Sequence, residues 1–197
     1  MKKYVFAGTL SAVSLFLVFY TLSCSPEKKT MTKEEITAKG KYLVNLGGCN
    51  DCHSPKIMTD MGPVPDTTKL LSGHPADEPL PSFDPANVAP GKWYLASGDL
   101  TAWIGPWGIS YAQNLTPDKE TGTGAWTLQE FTQALRTGKH LGIGRPILPP
   151  MPWEPLGHLT DDDLEAIFTY LQSIPPIKNQ VPDPVPPNMI AQYSGKK

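Results

Sequence analysis

This sequence of 197 residues contains few cysteines and has no excess of positive charge. Only three cysteines occur, and Cys49 and Cys52 are followed directly by His53, a spacing that favours a binding site over a disulfide. Lysine and arginine number 17 against 19 aspartates and glutamates, a formal net charge of −2, so the electrostatic footprint of a nucleic-acid-binding protein is missing. The sequence has no internal repeat, so a second copy of the group formed by Cys49, Cys52 and His53 is not expected. The length suits one domain and argues against a multidomain enzyme.

Proline, by contrast, is abundant. All 22 prolines lie after residue 23, and their share is more than double the average of roughly 5%. Because proline lacks the N–H that a strand ladder needs, this density disfavours a regular sandwich, barrel or doubly wound sheet. A mostly α fold is therefore expected.

The first residues have the pattern of an export signal. Two lysines precede an uncharged, mostly apolar run, which predicts a signal peptide over residues 1–23. The sequence Leu22-Ser23-Cys24 resembles the end of a bacterial lipoprotein signal and predicts lipidation of Cys24, with residues 24–31 as a tether. The run is also long enough to span a bilayer, so an uncleaved membrane helix is the alternative. Both alternatives place the following domain outside the cytoplasm on a membrane.

Three helices are predicted from capping signals and apolar spacing. A capping box at Thr32 and Glu35 opens the first, which should run from about 33 to 46. A second capping box with a hydrophobic staple opens the next helix, which ends at Gly138. The third begins at Thr160, with aspartates in its first turn, where acids favour the helix dipole. The other boundary residues are Trp126, Thr127, Glu130 and Phe131 for the second helix and Pro175 and Pro176 for the end of the third.

The stretch between the first two helices has a different composition. Residues 55–125 contain 10 prolines and 8 glycines, a proportion typical of disorder, yet six aromatic side chains are spread through them. A loop of this length in a compact domain is expected to pack around something large. The aromatic residues of this loop are Phe83, Trp93, Tyr94, Trp103, Trp107 and Tyr111.

At the C-terminal end of the sequence, residues 178–197 form a Pro-rich tail, which is predicted to be extended and either solvated or wrapped over the domain.

The pentapeptide Cys49-Asn50-Asp51-Cys52-His53 is a C-x-x-C-H motif. This pattern is typical of covalent haem attachment, in which two thiols add to the vinyl groups and the adjacent histidine ligates the iron. A redox dithiol normally belongs to a βαβ unit, which is absent here, and a zinc site needs four ligands, whereas no second cysteine pair exists. One covalent haem c is therefore predicted, bound by Cys49 and Cys52 with His53 on the iron. A redox or structural dithiol and a zinc site are the alternatives.

The second axial ligand of the iron is predicted to be Met151. Three prolines flank it in Pro149-Pro150-Met151-Pro152 and restrict the backbone, which would hold a weak thioether ligand in place. Ordinary core packing is the alternative for a methionine in this setting. Met58 and Met61 lie closer to His53 in the sequence and are predicted to pack in the pocket.

Several histidines and basic residues are weaker candidates. His74, His140 and His158 stand in loop sequence, where a solvated or capping role is expected. Lys139 and Arg145, together with His140, form a small basic patch. This patch would either pair with haem propionates or remain a solvated loop.

The order of helix, C-x-x-C-H motif, long loop, Pro-flanked methionine and closing helix resembles a class I c-type cytochrome. More specific stretches look like the membrane-associated cytochromes that accompany alcohol and sugar dehydrogenases. These stretches are Asn114-Leu115-Thr116-Pro117-Asp118, Glu120-Thr121-Gly122, Trp126-Thr127, Pro150-Met151-Pro152 and Leu159-Thr160-Asp161-Asp162-Asp163-Leu164.

The resemblance implies both a fold and a ligand set. The domain would span residues 32–177, with three main helices around a haem and a long Pro/Gly/Trp-rich loop. Cys49 and Cys52 would hold the haem, and His53 and Met151 would be the axial ligands. The first and last helices would pack together, with Gly40 and either Leu43 or Val44 against Phe168 or Leu171.

The implied function is that of a periplasmic, membrane-tethered monohaem cytochrome c that passes single electrons and is not an enzyme. Expected partners are a dehydrogenase or quinol-oxidising donor, an oxidase-type acceptor, and the membrane through a lipid or helix anchor, but no nucleic acid. A dedicated haem subunit of a membrane-bound dehydrogenase complex is the first alternative. A haem sensor or peroxidase-like enzyme is the second, and it would need an open iron position, which the proline-rich surroundings of Met151 disfavour.

Overall fold

The computed structural model describes residues 30–194. The predicted signal peptide, the predicted lipidation site Cys24 and most of the predicted tether lie outside these residues. The elements, in chain order, are α1 (Lys33–Leu46), α2 (Cys49–His53), β1 (Lys56–Thr59), β2 (Gly62–Pro65), a 3₁₀ turn (Pro85–Val88), β3 (Leu95–Ala96), β4 (Ala102–Gly105), β5 (Gly108–Tyr111), α3 (Leu128–Thr137), a 3₁₀ turn (His140–Gly142), α4 (Trp153–Gly157), α5 (Asp161–Leu171) and a 3₁₀ turn (Pro187–Gln192).

The two predicted capping boxes are present and start α1 and α3. At α1, the Thr32 N–H donates to a Glu35 carboxylate oxygen at 2.8 Å, and the Glu35 N–H donates to the Thr32 hydroxyl oxygen at 3.2 Å. Thr127 and Glu130 repeat the arrangement at α3. Because each box satisfies N–H groups that have no helical acceptor, local sequence alone fixes these two starts.

The third predicted helix, α5, begins after Thr160 as expected but ends earlier than predicted. It stops at Leu171, with Gln172 as its C-cap, so the predicted end at Pro175-Pro176 is wrong. The ring of a proline disfavours helical backbone at the residue before it, so a helix ends before it reaches the proline. The side chain of Gln172 also donates to the Thr123 carbonyl oxygen at 2.9 Å, which ties the helix end to a loop.

The helices enclose an apolar cluster that we call the helical core. α1 packs across α5, and α3 and α4 lie beside them, so the predicted packing of the first helix against the last is confirmed. Partly buried side chains at its edge include Cys49, Met151 and Phe168. The buried members of the helical core are Val44, Leu71, Phe131, Leu135, Leu164, Ile167 and Leu171.

The Pro/Gly-rich segment contains strands that the sequence analysis did not predict. β1 and β2 form an antiparallel hairpin, and β3, β4 and β5 form a three-stranded antiparallel sheet. The expectation of a mostly helical protein is confirmed, but the prediction that this segment is one long loop is wrong, because it contains two small sheets. Proline is tolerated here because the strands are at most four residues long and the hairpin has two edge strands, where a missing N–H costs little.

The sheet and the Pro-rich tail share a second apolar cluster, which we call the sheet core. Ile109 in β5 and Val185 in the tail exchange two backbone hydrogen bonds, at 2.8 and 2.9 Å. The tail thus lies over the sheet, which is the wrapped conformation of the two that the sequence left open. The buried members of the sheet core are Val88, Ala102, Ile104, Ile109, Tyr111, Val181, Val185 and Ile190.

Candidate haem-binding site

The C-x-x-C-H motif forms the short helix α2, which follows α1 after a sharp turn. Gly48 makes the turn with φ +63°, a left-handed conformation that side-chain-bearing residues rarely adopt. A Cβ at this position would also lie 2.8 Å from an Asp51 carboxylate oxygen. The turn from α1 into α2 thus requires glycine at position 48.

Cys49 and Cys52 are free thiols on this helix, and both are half-buried. Burial is the main cause that raises the pKa of each thiol, and the nearby Asp51 carboxylate raises it further. The thiols are therefore protonated at neutral pH. No disulfide joins Cys49 and Cys52, so each predicted attachment residue has the free thiol that would add to a vinyl group.

His53 is buried and held through one ring nitrogen. Its Nδ1 lies 2.7 Å from the carbonyl oxygen of Gln113, which can only accept, so Nδ1 carries the hydrogen. Burial lowers the pKa of His53 and outweighs the opposing effect of the Gln113 carbonyl, so the ring is neutral at pH 7. The lone pair is consequently on Nε2.

Nε2 of His53 has no hydrogen-bond partner within residues 30–194. No fully buried side-chain N or O atom among the described residues lacks a hydrogen-bond partner, so Nε2 of His53 retains some solvent-accessible surface. A neutral imidazole whose Nδ1–H is fixed by a carbonyl and whose Nε2 is free is the arrangement that metal-ligating histidines use. The donor set of His53, Cys49 and Cys52 therefore fits a covalent haem.

Met151 lies at the edge of the helical core, in the same apolar cluster that Cys49 borders. Its loop is attached to the sheet, because the Ser110 hydroxyl donates to the Pro149 carbonyl oxygen at 2.6 Å and accepts from Trp107 Nε1 at 3.2 Å. A hydrogen bond from β5 thus restrains the loop that carries this methionine. Sequence reasoning missed Ser110 and Gln113, and neither carries a local signal for its role.

Met58 and Met61 do not pack in a pocket. They are 70% and 95% exposed, so that prediction is wrong. The reason is the β1–β2 hairpin, which has only two strands and leaves most of its side chains in solvent.

The three other histidines have three different environments. His74 is buried, with Nδ1 2.7 Å from the Thr101 hydroxyl oxygen and its backbone N–H on the Ala112 carbonyl, so the expected solvated or capping role is wrong. His140 is half-buried and packs edge-on against Trp126, with ring centroids 5.0 Å apart. His158 is exposed and is the C-cap of α4, as expected.

Lys139 and Arg145 are both exposed, so the predicted basic patch is a surface feature. Their segment is closed by backbone hydrogen bonds, including one from the His140 N–H to the Arg145 carbonyl oxygen at 2.9 Å. Exposure is compatible with both of the roles predicted for the patch.

Neither a cluster of metal ligands nor a membrane-spanning helix is found among the residues that the structure describes. Among residues 30–194, no three or more His, Cys, Asp and Glu side chains are grouped so that they could hold a metal ion. Within the same range, no helix has both the length and the apolar character needed to cross a membrane.

A short helix that carries two thiols and ends in a neutral histidine has the residue types and spacing expected for a c-type cytochrome. Comparison with known proteins supports this class, although no family model matches the chain. The chain is 38% identical over 153 residues to the cytochrome c subunit of the alcohol dehydrogenase (quinone) of Gluconobacter oxydans. These residues cover 76% of this chain and 24% of that protein.

Two further relatives are more distant. The gluconate 2-dehydrogenase cytochrome c subunit of Pantoea cypripedii is 27% identical over 156 residues, which cover 79% of this chain and 27% of that protein. A diheme cytochrome c-type protein of Cereibacter sphaeroides is 25% identical over 141 residues, which cover 71% of this chain and 36% of that protein. The chain thus spans about a quarter to a third of the length of these relatives.

The chain is homologous to cytochrome c subunits of alcohol, gluconate and fructose dehydrogenases. The predicted resemblance to the cytochromes that accompany such dehydrogenases is therefore confirmed.

Proposed function

We propose that this chain is a monohaem c-type cytochrome that carries single electrons and that its donor is a dehydrogenase. The observation that carries the proposal is the geometry of His53, whose Nδ1–H is fixed 2.7 Å from the Gln113 carbonyl oxygen while Nε2 has no partner in the described part of the chain. Two free thiols precede it on the same short helix. This combination is what covalent haem attachment requires.

Each residue has a separate task in this proposal. Cys49 and Cys52 would form the two thioether bonds, and His53 would donate its Nε2 lone pair to the iron. The Gln113 carbonyl would keep the ring in one tautomer and raise its basicity as a ligand. When bound, the haem supplies a one-electron couple, and the protein tunes and positions that couple.

Met151 is proposed as the other axial ligand. Its loop is bonded to the sheet through Ser110, and its side chain borders the same apolar core as Cys49. Such restraint suits a thioether, which is a weak ligand and gains most from being held in place. A His/Met ligand pair raises the reduction potential of the iron relative to stronger donor ligands.

The relatives favour a dehydrogenase as the donor. Three of them are cytochrome subunits of alcohol, gluconate and fructose dehydrogenases. Under this proposal the chain is either a free carrier or a dedicated subunit of one dehydrogenase. Its place would be the periplasmic side of a membrane, with a lipid on Cys24 or an uncleaved N-terminal helix as the anchor.

The first experiment tests the covalent haem. Purified protein is denatured, separated on a gel and stained for haem, and the iron content per chain is measured. We expect the stain to remain with the polypeptide at one iron per chain, and the Cys49→Ala/Cys52→Ala double variant to lose it. Release of the porphyrin from the wild type by acidic organic solvent would contradict the proposal, as would two irons per chain.

A second experiment separates the free carrier from the dedicated subunit. The full-length protein is expressed with a tag in its native host, and the membrane fraction is purified under mild conditions. Co-purification of a dehydrogenase in fixed ratio supports the dedicated subunit. Recovery of the haem protein alone, together with its reduction by more than one dehydrogenase, supports the free carrier.

A further inference from the structure

Lys56 has an unusual environment for a lysine so close to a cofactor site. Its Nζ donates to three carbonyl oxygens, those of Asp51 at 2.7 Å, Ser54 at 2.9 Å and Asp99 at 2.7 Å. An ammonium group has three N–H donors and a neutral amine has only two. The three acceptors therefore use every donor of the charged form.

The sequence explains why the first two carbonyls need a side-chain donor. In a continuing helix the Asp51 carbonyl would accept from the N–H of residue 55, but residue 55 is a proline and has none. Ser54 has already left the helix, with φ −121° and ψ 128°, as expected before a proline. Lys56 supplies the missing donors at the end of α2, a role that basic side chains take at helix C-termini.

The third carbonyl connects α2 to a buried polar network far along the chain. The Asp99 carboxylate accepts from the hydroxyls of Ser97 at 2.5 Å and Thr101 at 2.6 Å, and Thr101 also contacts Nδ1 of His74 at 2.7 Å. All four of these side chains are buried. Burial acts to raise the pKa of Asp99, but the hydrogen bonds from Ser97 and Thr101 outweigh it, so the pKa is lowered and the carboxylate stays ionised.

We infer that Lys56 is a positioning residue of the haem site, which fixes the end of α2 that carries Cys52 and His53 and places a positive charge beside it. The inference rests on the proposed function, because only a bound haem gives that charge a redox consequence. A nearby fixed positive charge favours the reduced iron, which bears one positive charge fewer. Loss of the Lys56 charge should therefore lower the midpoint potential.

The test is a potentiometric titration of the haem-loaded full chain. Lys56→Met removes the charge and all three donors while keeping an unbranched side chain of similar length. We expect its midpoint potential to fall and its haem to remain covalently attached. Lys56→Arg keeps the charge and should retain most of the wild-type potential.

Lys92→Met is the matched control, because Lys92 is an exposed lysine and its loss changes the net charge by the same amount. We expect its potential to equal that of the wild type. The unfolding free energy of each variant is measured in parallel, since a purely structural role would lower stability without moving the potential.

Two results would overturn the inference. One is an unchanged potential in Lys56→Met, and the other is an equal fall in Lys92→Met, which would assign the effect to net charge alone. A wild type that carries no covalent haem would overturn the proposed function as well, so the two failures are distinguishable. If Lys56→Met yields no holoprotein, Lys56→Gln takes its place, because it keeps two N–H donors and loses the charge, and the same fall in potential is expected.

Discussion

Gly40 in α1 and Ala166 in α5 lie backbone to backbone where the two helices cross. A Cβ on Gly40 would be 2.6 Å from the Ala166 carbonyl carbon, in contact with its carbonyl oxygen, and 2.8 Å from the Cβ of Tyr170. Two of these atoms belong to a helix backbone, which cannot rotate away as a long side chain can. The crossing of the first and last helices therefore depends on glycine at this position.

Gly40→Ala should lower the unfolding free energy of the holoprotein by about 2 kcal/mol. Overpacking costs about 1–3 kcal/mol, and contact with a helix backbone places this variant near the upper value. The higher helix propensity of alanine offsets about 1 kcal/mol of that cost. Denaturant unfolding followed by circular dichroism measures the change. Gly98→Ala is the control, because a Cβ there meets no atom within 4 Å, and its stability should stay near that of the wild type. Equal stabilities of the Gly40 variant and the wild type would contradict the crossing geometry.

Met151→Ala should open the iron to exogenous ligands. With Met151 in place the iron has six ligands, so the reduced wild type should bind carbon monoxide poorly at neutral pH. In the variant, carbon monoxide should bind readily, and the midpoint potential should fall because a soft sulfur ligand is lost. Optical titration with carbon monoxide and potentiometry measure the two effects.

Met58→Ala and Met61→Ala are the controls for that experiment, because both side chains are exposed. Neither should change carbon monoxide binding or the potential. Fast carbon monoxide binding by the wild type would instead indicate an open iron and favour the sensor or enzyme alternative. If His74→Ala, His140→Ala or His158→Ala opens the site, the carrier function stands but the ligand assignment is wrong.

Cys24 should be the first residue of the mature protein and should carry acyl chains. The expectation rests on Leu22-Ser23-Cys24 at the end of an apolar run. Stable anchoring needs more than one chain, because a single chain gives marginal, reversible binding. Mass spectrometry of the membrane-extracted N-terminus measures the modification, and Cys24→Ser should abolish it. An intact Met1 in the extracted protein would establish a helix anchor instead.

Asp163 links α5 to α1 and should make stability depend on pH in the acid range. One carboxylate oxygen lies 2.6 Å from Lys39 Nζ, and the other accepts from the Thr160 hydroxyl at 2.7 Å. The Lys39 hydrogen bond, followed by that from Thr160, lowers the pKa of Asp163 below its ordinary value of 3.8. A lowered folded pKa stabilises the protein above the unfolded value, and this stabilisation is lost as pH falls through the folded value.

Asp163→Asn should therefore reduce the unfolding free energy by about 1 kcal/mol near neutral pH, since the ion pair is partly exposed. The difference from the wild type should disappear below the lowered pKa, where both proteins are uncharged at this position. Denaturant unfolding at a series of pH values measures it. Glu165→Gln removes the same charge from an exposed position of α5 and should change little. A difference that persists undiminished into strong acid would assign the effect to something other than ionisation.

The sequence by itself determined the features that depend on neighbouring residues. The two capping boxes predicted the starts of α1 and α3, because the groups that bond are three residues apart. The C-x-x-C-H motif likewise predicted the thiols and the histidine of the site, since their spacing along one helical turn is set locally. The end of α5 was missed by four residues, because Pro175 restricts only the residue before it, whereas the helix end is bonded to a distant loop through Gln172 and Thr123.

Only the tertiary structure decided what joins distant parts of the chain. The carbonyl that fixes His53 comes from Gln113, 60 residues away, and the third acceptor of Lys56 comes from Asp99, 43 residues away. Backbone carbonyls carry no sequence signature, so no pattern could have identified either partner. The strands of the Pro/Gly-rich segment were not predicted for a related reason. Ile109 of β5 pairs with Val185 of the tail, and packing rather than local propensity determines a pairing between segments so far apart.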